Sequence, residues 1–85
     1  MPSKTVAVGS SVGLHARPAA TIAEAAAASG APVTLAVGDG TPVDAGSALM
    51  IMTLGAHAGT EVTVSSDDQA AVDAVAALVE ADLDA

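Results

Sequence analysis

Three residues close to the amino end, His15, Arg17 and Pro18, could together bind and carry a phosphoryl group. A histidine side chain is substantially neutral near pH 7, and its ring nitrogen then has a lone pair that can attack phosphorus. The guanidinium of Arg17 can form two parallel hydrogen bonds to phosphoryl oxygens. Pro18 has no backbone N–H, so the donors beside His15 are chiefly the amides of Ala16 and Arg17. This arrangement indicates phosphohistidine chemistry at His15.

The segment that must position these residues, 16–29, is dominated by alanine, the strongest helix former. Gly30 is well placed to end the helix, and Pro18 falls in the first turn, where a missing N–H removes no intrahelical bond. A helix amino terminus presents unpaired N–H groups and the positive end of a dipole, and both favour an anion. Spacing alone leaves a second interpretation open, in which His15 is a helix cap or an ordinary surface residue.

Four segments have the short, valine-containing patterns that are typical of strands. They are residues 5–8, 33–37, 41–44 and 61–65. Gly38-Asp39-Gly40 predicts a tight turn between the second and third of them, which would make that pair a hairpin.

Two further helices are predicted from their caps. Ser47 can cap a short helix over residues 48–54 that Gly55 ends. Ser66 and Gln69 have the spacing of a capping box for a closing helix. The apolar stripe of that helix is Val72, Val75, Ala76, Val79 and Leu83.

The resulting order, βαββαβα, predicts an α+β fold in a single domain over residues 1–85. We expect a two-layer open-faced sandwich, in which a four-stranded antiparallel sheet is covered on one face by three helices.

Composition excludes several classes of function. Ten acidic residues against two basic ones give a formal charge of −8, and the chain has no Phe, Tyr, Trp or Cys. Nucleic acid and anionic lipid are therefore not expected partners, and neither a disulfide nor a thiolate metal site can form. We expect a cytoplasmic protein without direct membrane insertion and without a cofactor. His57 lacks neighbouring ligands and is interpreted as an ordinary exposed histidine.

Residues Gly13-Leu14-His15-Ala16-Arg17-Pro18-Ala19 closely resemble the active-site signature of the HPr family, the phosphocarriers of the phosphoenolpyruvate-dependent sugar phosphotransferase system. The resemblance extends over the whole chain and includes a short helix that begins at Ser47 and runs into Thr53-Leu54-Gly55. It implies that His15 accepts a phosphoryl group from Enzyme I and passes it to the EIIA component of a sugar permease, with Arg17 stabilising the group. Such a protein is a stoichiometric carrier rather than an enzyme, and we expect a monomer.

The short helix has more apolar positions than one buried face requires. Ile51 and Leu54 fit the core, which leaves Ala48, Leu49 and Met52 as a second strip that is predicted to face solvent. The matching positions in the family dock Enzyme I and EIIA.

Ser47 has two interpretations. It can be a helix N-cap, or it can be the regulatory serine that HPr kinase phosphorylates in some lineages, in which case a charge would enter the strip. A basic residue that often precedes that serine in the family is replaced here by Gly46.

The chain departs from the family pattern around its site. Val12 stands where the family often has Asn or Ser, so that side-chain support is missing unless Ser11 substitutes for it. The lysines that commonly surround the site are replaced by Glu24, Ala28 and Met50. We therefore expect weak electrostatic steering and an association that depends on apolar packing.

Three other classes of protein share some of these sequence features. An HPr-like regulatory or nitrogen-branch module would share the chemistry of His15 but serve another donor. An acyl carrier protein would be all-helical, with Asp before the serine where this chain has Gly46. A small hydrolase would need a Ser or Cys nucleophile with an orienting acid near His15, and the sequence provides none.

Overall fold

The computed structural model describes residues 2–11, 13–38 and 40–81. The strands are β1 (Ser3–Ala7), β2 (Val33–Val37), β3 (Val43–Asp44) and β4 (Glu61–Ser66). The helices are α1 (Ala16–Ala28), α2 (Ala48–Thr53) and α3 (Gln69–Glu80). The predicted order βαββαβα is confirmed. None of these helices is long and apolar enough to cross a membrane.

The four strands form one antiparallel sheet in the order β1-β4-β2-β3. Alternation along β4 separates the two faces, because Val62 and Val64 are fully buried while Thr63 is only half-buried. On the face that the helices leave open, the Thr63 hydroxyl lies 2.9 Å from that of Thr5 on the edge strand β1. The predicted open-faced sandwich is therefore confirmed.

The core between the sheet and the helices consists mostly of valine and alanine. Its largest side chains are aliphatic and fully buried: Ile22 of α1, Leu35 of β2 and Ile51 of α2. Helix α3 buries Val72, Val75 and Val79 from the predicted stripe, while Leu83 lies outside the described residues. Small side chains allow helices and sheet to approach closely, which suits a domain of this length.

The ends of α1 agree with the sequence. Ser29 is the C-cap residue and its backbone N–H donates to Ala25 O. Gly30 follows with φ +73°, the left-handed conformation that commonly ends a helix. Alanine content and a terminal glycine were thus sufficient to locate the helix that presents His15.

The predicted capping box at Ser66 and Gln69 is wrong. Ser66 is fully buried and is the last residue of β4, where it pairs with Val33. The N-cap of α3 is Asp68, whose carboxylate accepts a hydrogen bond of 3.0 Å from the amide of Ala70. The hydroxyl of Ser66 accepts from the amide of Asp68 instead, so cross-strand pairing moved the helix start by two residues.

Candidate phosphoryl-transfer site at the amino end of the first helix

His15 is the N-cap residue of α1. Its backbone is extended, with φ −87° and ψ −165°, and its carbonyl accepts the first helical hydrogen bond, 2.8 Å from the amide of Ala19. The imidazole is exposed and makes no capping hydrogen bond. The interpretation of His15 as a side-chain cap is therefore excluded, and its ring nitrogens are not used to hold the helix together.

Two backbone donors lie at the same helix end. The amides of Ala16 and Arg17 have no intrahelical partner, and neither donates to another residue within 2–11, 13–38 or 40–81. Pro18 follows with its ring buried, so it anchors the first turn to the core without adding a third donor. The arrangement of amides predicted from the sequence is present in the structure.

Arg17 supplies the fixed positive charge of the site. Its side chain is exposed, and its backbone carbonyl accepts a hydrogen bond from Thr21 one turn later. The other permanent cation, Lys4, lies on β1 opposite Val64. An anion on His15 would therefore find its side-chain charge partner in Arg17, within the same helical turn.

The loop that leads to His15 is held at several points. The amide of Gly9 donates to Val79 O at 3.1 Å, and the amide of Leu14 donates to Ala56 O at 3.0 Å, while the side chain of Leu14 is buried. Gly13 has φ +78°, and a Cβ atom there would come within 2.4 Å of Ala56 O. Only glycine fits this approach. Ser11 is exposed, and Val12 lies outside the described residues.

Helix α2 presents the predicted apolar surface with one change in membership. Leu49 is 69% exposed and Met52 38% exposed, as predicted, but Met50 is also exposed, at 40%. Ala48 is half-buried and packs against the core, because α2 lies on α1 and β3. We call Leu49, Met50 and Met52 the apolar strip. Leu54 packs against the core as expected.

Ser47 is confirmed as the N-cap of α2. Its hydroxyl accepts a hydrogen bond of 3.3 Å from the amide of Met50. Ser47 is half-buried. The hydroxyl oxygen that a kinase would modify is the same atom that caps the helix.

His57 is exposed, as the sequence indicated, and no cluster of three metal-ligating side chains occurs among the residues that the structure describes. Sequence reasoning did not place it near His15. The structure brings its backbone beside the loop that leads to His15, because a Cβ atom placed on Gly13 would lie 3.1 Å from the Cα atom of His57. This contact joins segments 44 positions apart, from residue 13 to residue 57, and Gly13 signals a close approach without indicating which segment makes it.

A groove between α1 and α3 is a concave feature of the described part of the chain. It is lined by Ala25, Ala28, Ser29, Asp68, Ala70, Ala71 and Ala74. The groove lies at the carboxyl end of α1, about 15 Å along that helix from its start, and His15 does not line it.

Comparison with known proteins agrees with this architecture. The family model described as "PTS HPr component phosphorylation site" matches residues 2–81. No curated protein sequence matches the chain significantly.

Several solved structures are similar. Phosphocarrier protein HPr from Bacillus anthracis str. Ames is 33% identical, with a TM-score of 0.84 over 92% of this chain and 95% of that one. HPr-C-His from Thermoanaerobacter tengcongensis is 32% identical, with a TM-score of 0.84 over 94% and 92%. The Bacillus subtilis catabolite repression protein Crh, described as a dimer with a swapped domain, is 36% identical, with a TM-score of 0.74 over 96% and 97%.

A family model that matches nearly the entire length, together with the exposed histidine at the start of α1, leads to one conclusion. The chain belongs to the PTS-HPr family, the phosphocarriers of the phosphotransferase system.

Proposed function

We propose that His15 accepts a phosphoryl group from phosphohistidine on Enzyme I and passes it to EIIA domains of sugar permeases during sugar uptake. The observation that carries this proposal is the exposed imidazole of His15 at a helix start whose first two amides have no partner in the described chain. Arg17, in the same turn, adds a permanent positive charge.

The chemistry needs no further reactant. A lone pair on a ring nitrogen of His15 attacks phosphorus, a new N–P bond forms, and the N–P bond of the donor histidine breaks. The amides of Ala16 and Arg17 and the Arg17 guanidinium hold the phosphoryl oxygens through both transfers. The second transfer reverses these roles and regenerates His15. In this proposal the single domain is a stoichiometric carrier, consumed and restored in each cycle.

The apolar strip provides the docking surface in this proposal. Leu49, Met50 and Met52 are exposed on α2, whose carboxyl end leads through Gly55 into Ala56, the residue that binds the His15 loop. Flexible methionine side chains can adapt to more than one partner, as a carrier between Enzyme I and EIIA requires. Ala48 contributes at most the edge of this surface because it is half-buried.

Ser47 is proposed to act mainly as the cap of α2. Its modification by HPr kinase is a second role, which would place a phosphate beside the apolar strip and oppose docking. Incubation with HPr kinase and ATP, followed by mass spectrometry of the Ser47→Ala variant as the control, tests this role.

A regulatory or nitrogen-branch module is the second candidate, and the observation in its favour is the 36% identity to Crh. His15 argues against a purely regulatory protein, since such a protein would not need a phosphoryl acceptor. We also propose a monomer, in contrast to the swapped dimer that the Crh structure describes. Light scattering on a size-exclusion column measures the mass directly, and a dimer at micromolar concentration would contradict a monomer.

The deciding experiment is phosphorylation with phosphoenolpyruvate and Enzyme I, followed by intact-protein mass spectrometry. We expect one acid-labile phosphoryl group on the wild type and none on His15→Ala. If the wild type gains none with Enzyme I from several sources, the proposed function is wrong. Transfer onward to EIIA from a sugar permease, compared with an EIIA of the nitrogen branch, then distinguishes the two branches.

A further inference from the structure

His57 lies beside the loop that ends at His15. The amide of Leu14 donates to Ala56 O at 3.0 Å, and the Cβ position of Gly13 is 3.1 Å from the Cα atom of His57. Two residues of extended chain span at most about 7 Å, which limits how far His15 can be from Gly13. The two histidines therefore leave the backbone from adjoining loops.

The loop of His57 is fixed independently of the imidazole. The amide of His57 donates to the Thr60 hydroxyl at 3.1 Å, and the His57 carbonyl accepts from the amide of Thr60. Val8 of the adjoining strand end exchanges two backbone hydrogen bonds of 2.9 Å with Gly59 and Thr60. The imidazole itself is exposed and has no hydrogen bond to any residue that the structure describes. The fold thus holds the side chain at the surface without using it.

The position of His57 also continues the apolar strip. Helix α2 ends at Thr53, and its C-cap residue Leu54 is followed by Gly55 and Ala56, which lead directly to His57. This connection joins the end of α2 to the loop of His15 through the hydrogen bond from Leu14 to Ala56. His57 is therefore an exposed polar residue where the helix of the apolar strip meets the loop of the proposed phosphoryl acceptor.

Both histidines and one of the two basic residues of this chain lie at the same place. The sequence has two basic residues and two histidines, namely Lys4, Arg17, His15 and His57. Arg17 and both histidines lie at the start of α1 or on the loop packed against the His15 loop, whereas Glu24, the acidic residue of α1, lies about 13 Å further along the helix. Arg17 gives this surface a permanent positive charge that a carboxylate of a partner can approach.

We propose that His57 is a recognition residue for the partner that donates the phosphoryl group. Its imidazole N–H donates a hydrogen bond to a carboxylate at the edge of an apolar patch on the partner protein. The contact aligns the partner between the apolar strip and His15, and it takes no part in the making or breaking of N–P bonds. This inference rests on the proposed function of His15.

The test is a steady-state titration of the carrier against Enzyme I and phosphoenolpyruvate, with His57→Ala, His57→Gln and the control Gln69→Ala. Gln69 is exposed at the start of α3, whose other end lies by Gly9, about 17 Å away along the helix. We expect His57→Ala to raise KM about fivefold with kcat within about twofold, since one charge-assisted hydrogen bond is lost. His57→Gln retains an N–H donor and should recover most of the affinity, and Gln69→Ala should match the wild type.

Each other outcome overturns the inference. An unchanged KM for His57→Ala, or a fall in kcat alone, would show that His57 does not recognise the donor, while phosphorylation of His15 would stand. Phosphorylation absent from the wild type would remove the proposed function and this inference together. Thermal melting of the variants checks folding, and His57→Leu, which also lacks a side-chain donor, takes the place of His57→Ala if that variant does not fold.

Discussion

The start of α1 differs from the starts of α2 and α3 in the way its amides are satisfied. Ser47 accepts from the amide of Met50, and Asp68 accepts from the amide of Ala70. His15 occupies the equivalent position of α1 and its side chain accepts nothing. Because an unfilled helix start favours an anion and a filled one does not, the chain forgoes a local stabilising contact at the helix where a phosphoryl group is proposed to bind.

Replacement of His15 by a residue that caps the helix should have the largest effect on phosphorylation and stability. In His15→Asp, the new carboxylate should accept hydrogen bonds from the first-turn amides and complement the helix dipole. We expect phosphorylation to be abolished, while the free energy of unfolding rises by about 1 kcal/mol. Mass spectrometry and urea unfolding measure the two effects.

His15→Ala is the matched control, because it removes the acceptor without adding a cap. It should also lose phosphorylation, but without the gain in stability. If His15→Asp were no more stable than His15→Ala, the amides of Ala16 and Arg17 would not be available to an anion, and the contrast between the helices would fail.

Removal of the nearby charge should have the next largest effect. Arg17→Ala leaves the amide in place but deletes the guanidinium, and we expect the single-turnover rate of phosphorylation to fall about 100-fold. Arg17→Lys keeps the charge but cannot form two parallel hydrogen bonds, so its phosphorylation rate should lie between those of the wild type and Arg17→Ala. Rapid-quench measurements at saturating Enzyme I provide these rates. A rate for Arg17→Ala within twofold of the wild type would mean that the amides alone hold the phosphoryl group.

The complementary change concerns α3. Asp68→Ala removes the cap and should lower the free energy of unfolding by about 1 kcal/mol, without any change in the rate of phosphorylation. Asp68→Asn keeps a side-chain acceptor and should lower the free energy of unfolding by much less. Urea denaturation of both variants checks the effect, and an equal loss in the two would assign the contribution of Asp68 to its charge rather than to its hydrogen bond.

Ionic strength should have the smallest effect. The chain has Glu24 and Ala28 on α1 and Met50 on α2 at positions where the resemblance led us to expect lysines, and the exposed strip of α2 is apolar. We therefore expect the association rate with Enzyme I to change less than about threefold between about 0.05 and 0.5 M salt. Stopped-flow measurements across that range would contradict apolar docking if they gave a steep dependence.

The sequence predicted local features well where one residue type decides the outcome. Alanine content and Gly30 located α1, and Ser47 with Gly55 located α2 to within one residue. Features that depend on pairing between strands of the sheet were harder to predict. The first strand begins at Ser3 rather than Thr5 because Ser3 pairs with Ser65, and the cap of α3 moved from Ser66 to Asp68 because Ser66 pairs with Val33.

The candidate site divides in the same way. His15, Ala16, Arg17 and Pro18 are consecutive, so their shared helix turn follows from helix geometry alone. The burial of Ala48 and the exposure of Met50 depend on how α2 rests on α1 and β3, which no local pattern specifies. The approach of His57 to Gly13 is likewise a tertiary contact, although the glycine in the family signature was a signal that something passes close there.

The hydrogen bond from Leu14 to Ala56 ties the reactive loop to the segment that leaves α2. Because of this hydrogen bond, a protein that binds the exposed side chains of α2 is held at a fixed distance from the imidazole of His15. In the proposed carrier cycle, successive partners can then differ in sequence and shape, provided that each places its reacting group at that distance from the surface that binds α2. Substitutions on the surface of α2 can accordingly change which proteins accept the phosphoryl group, while the His15 site stays unchanged.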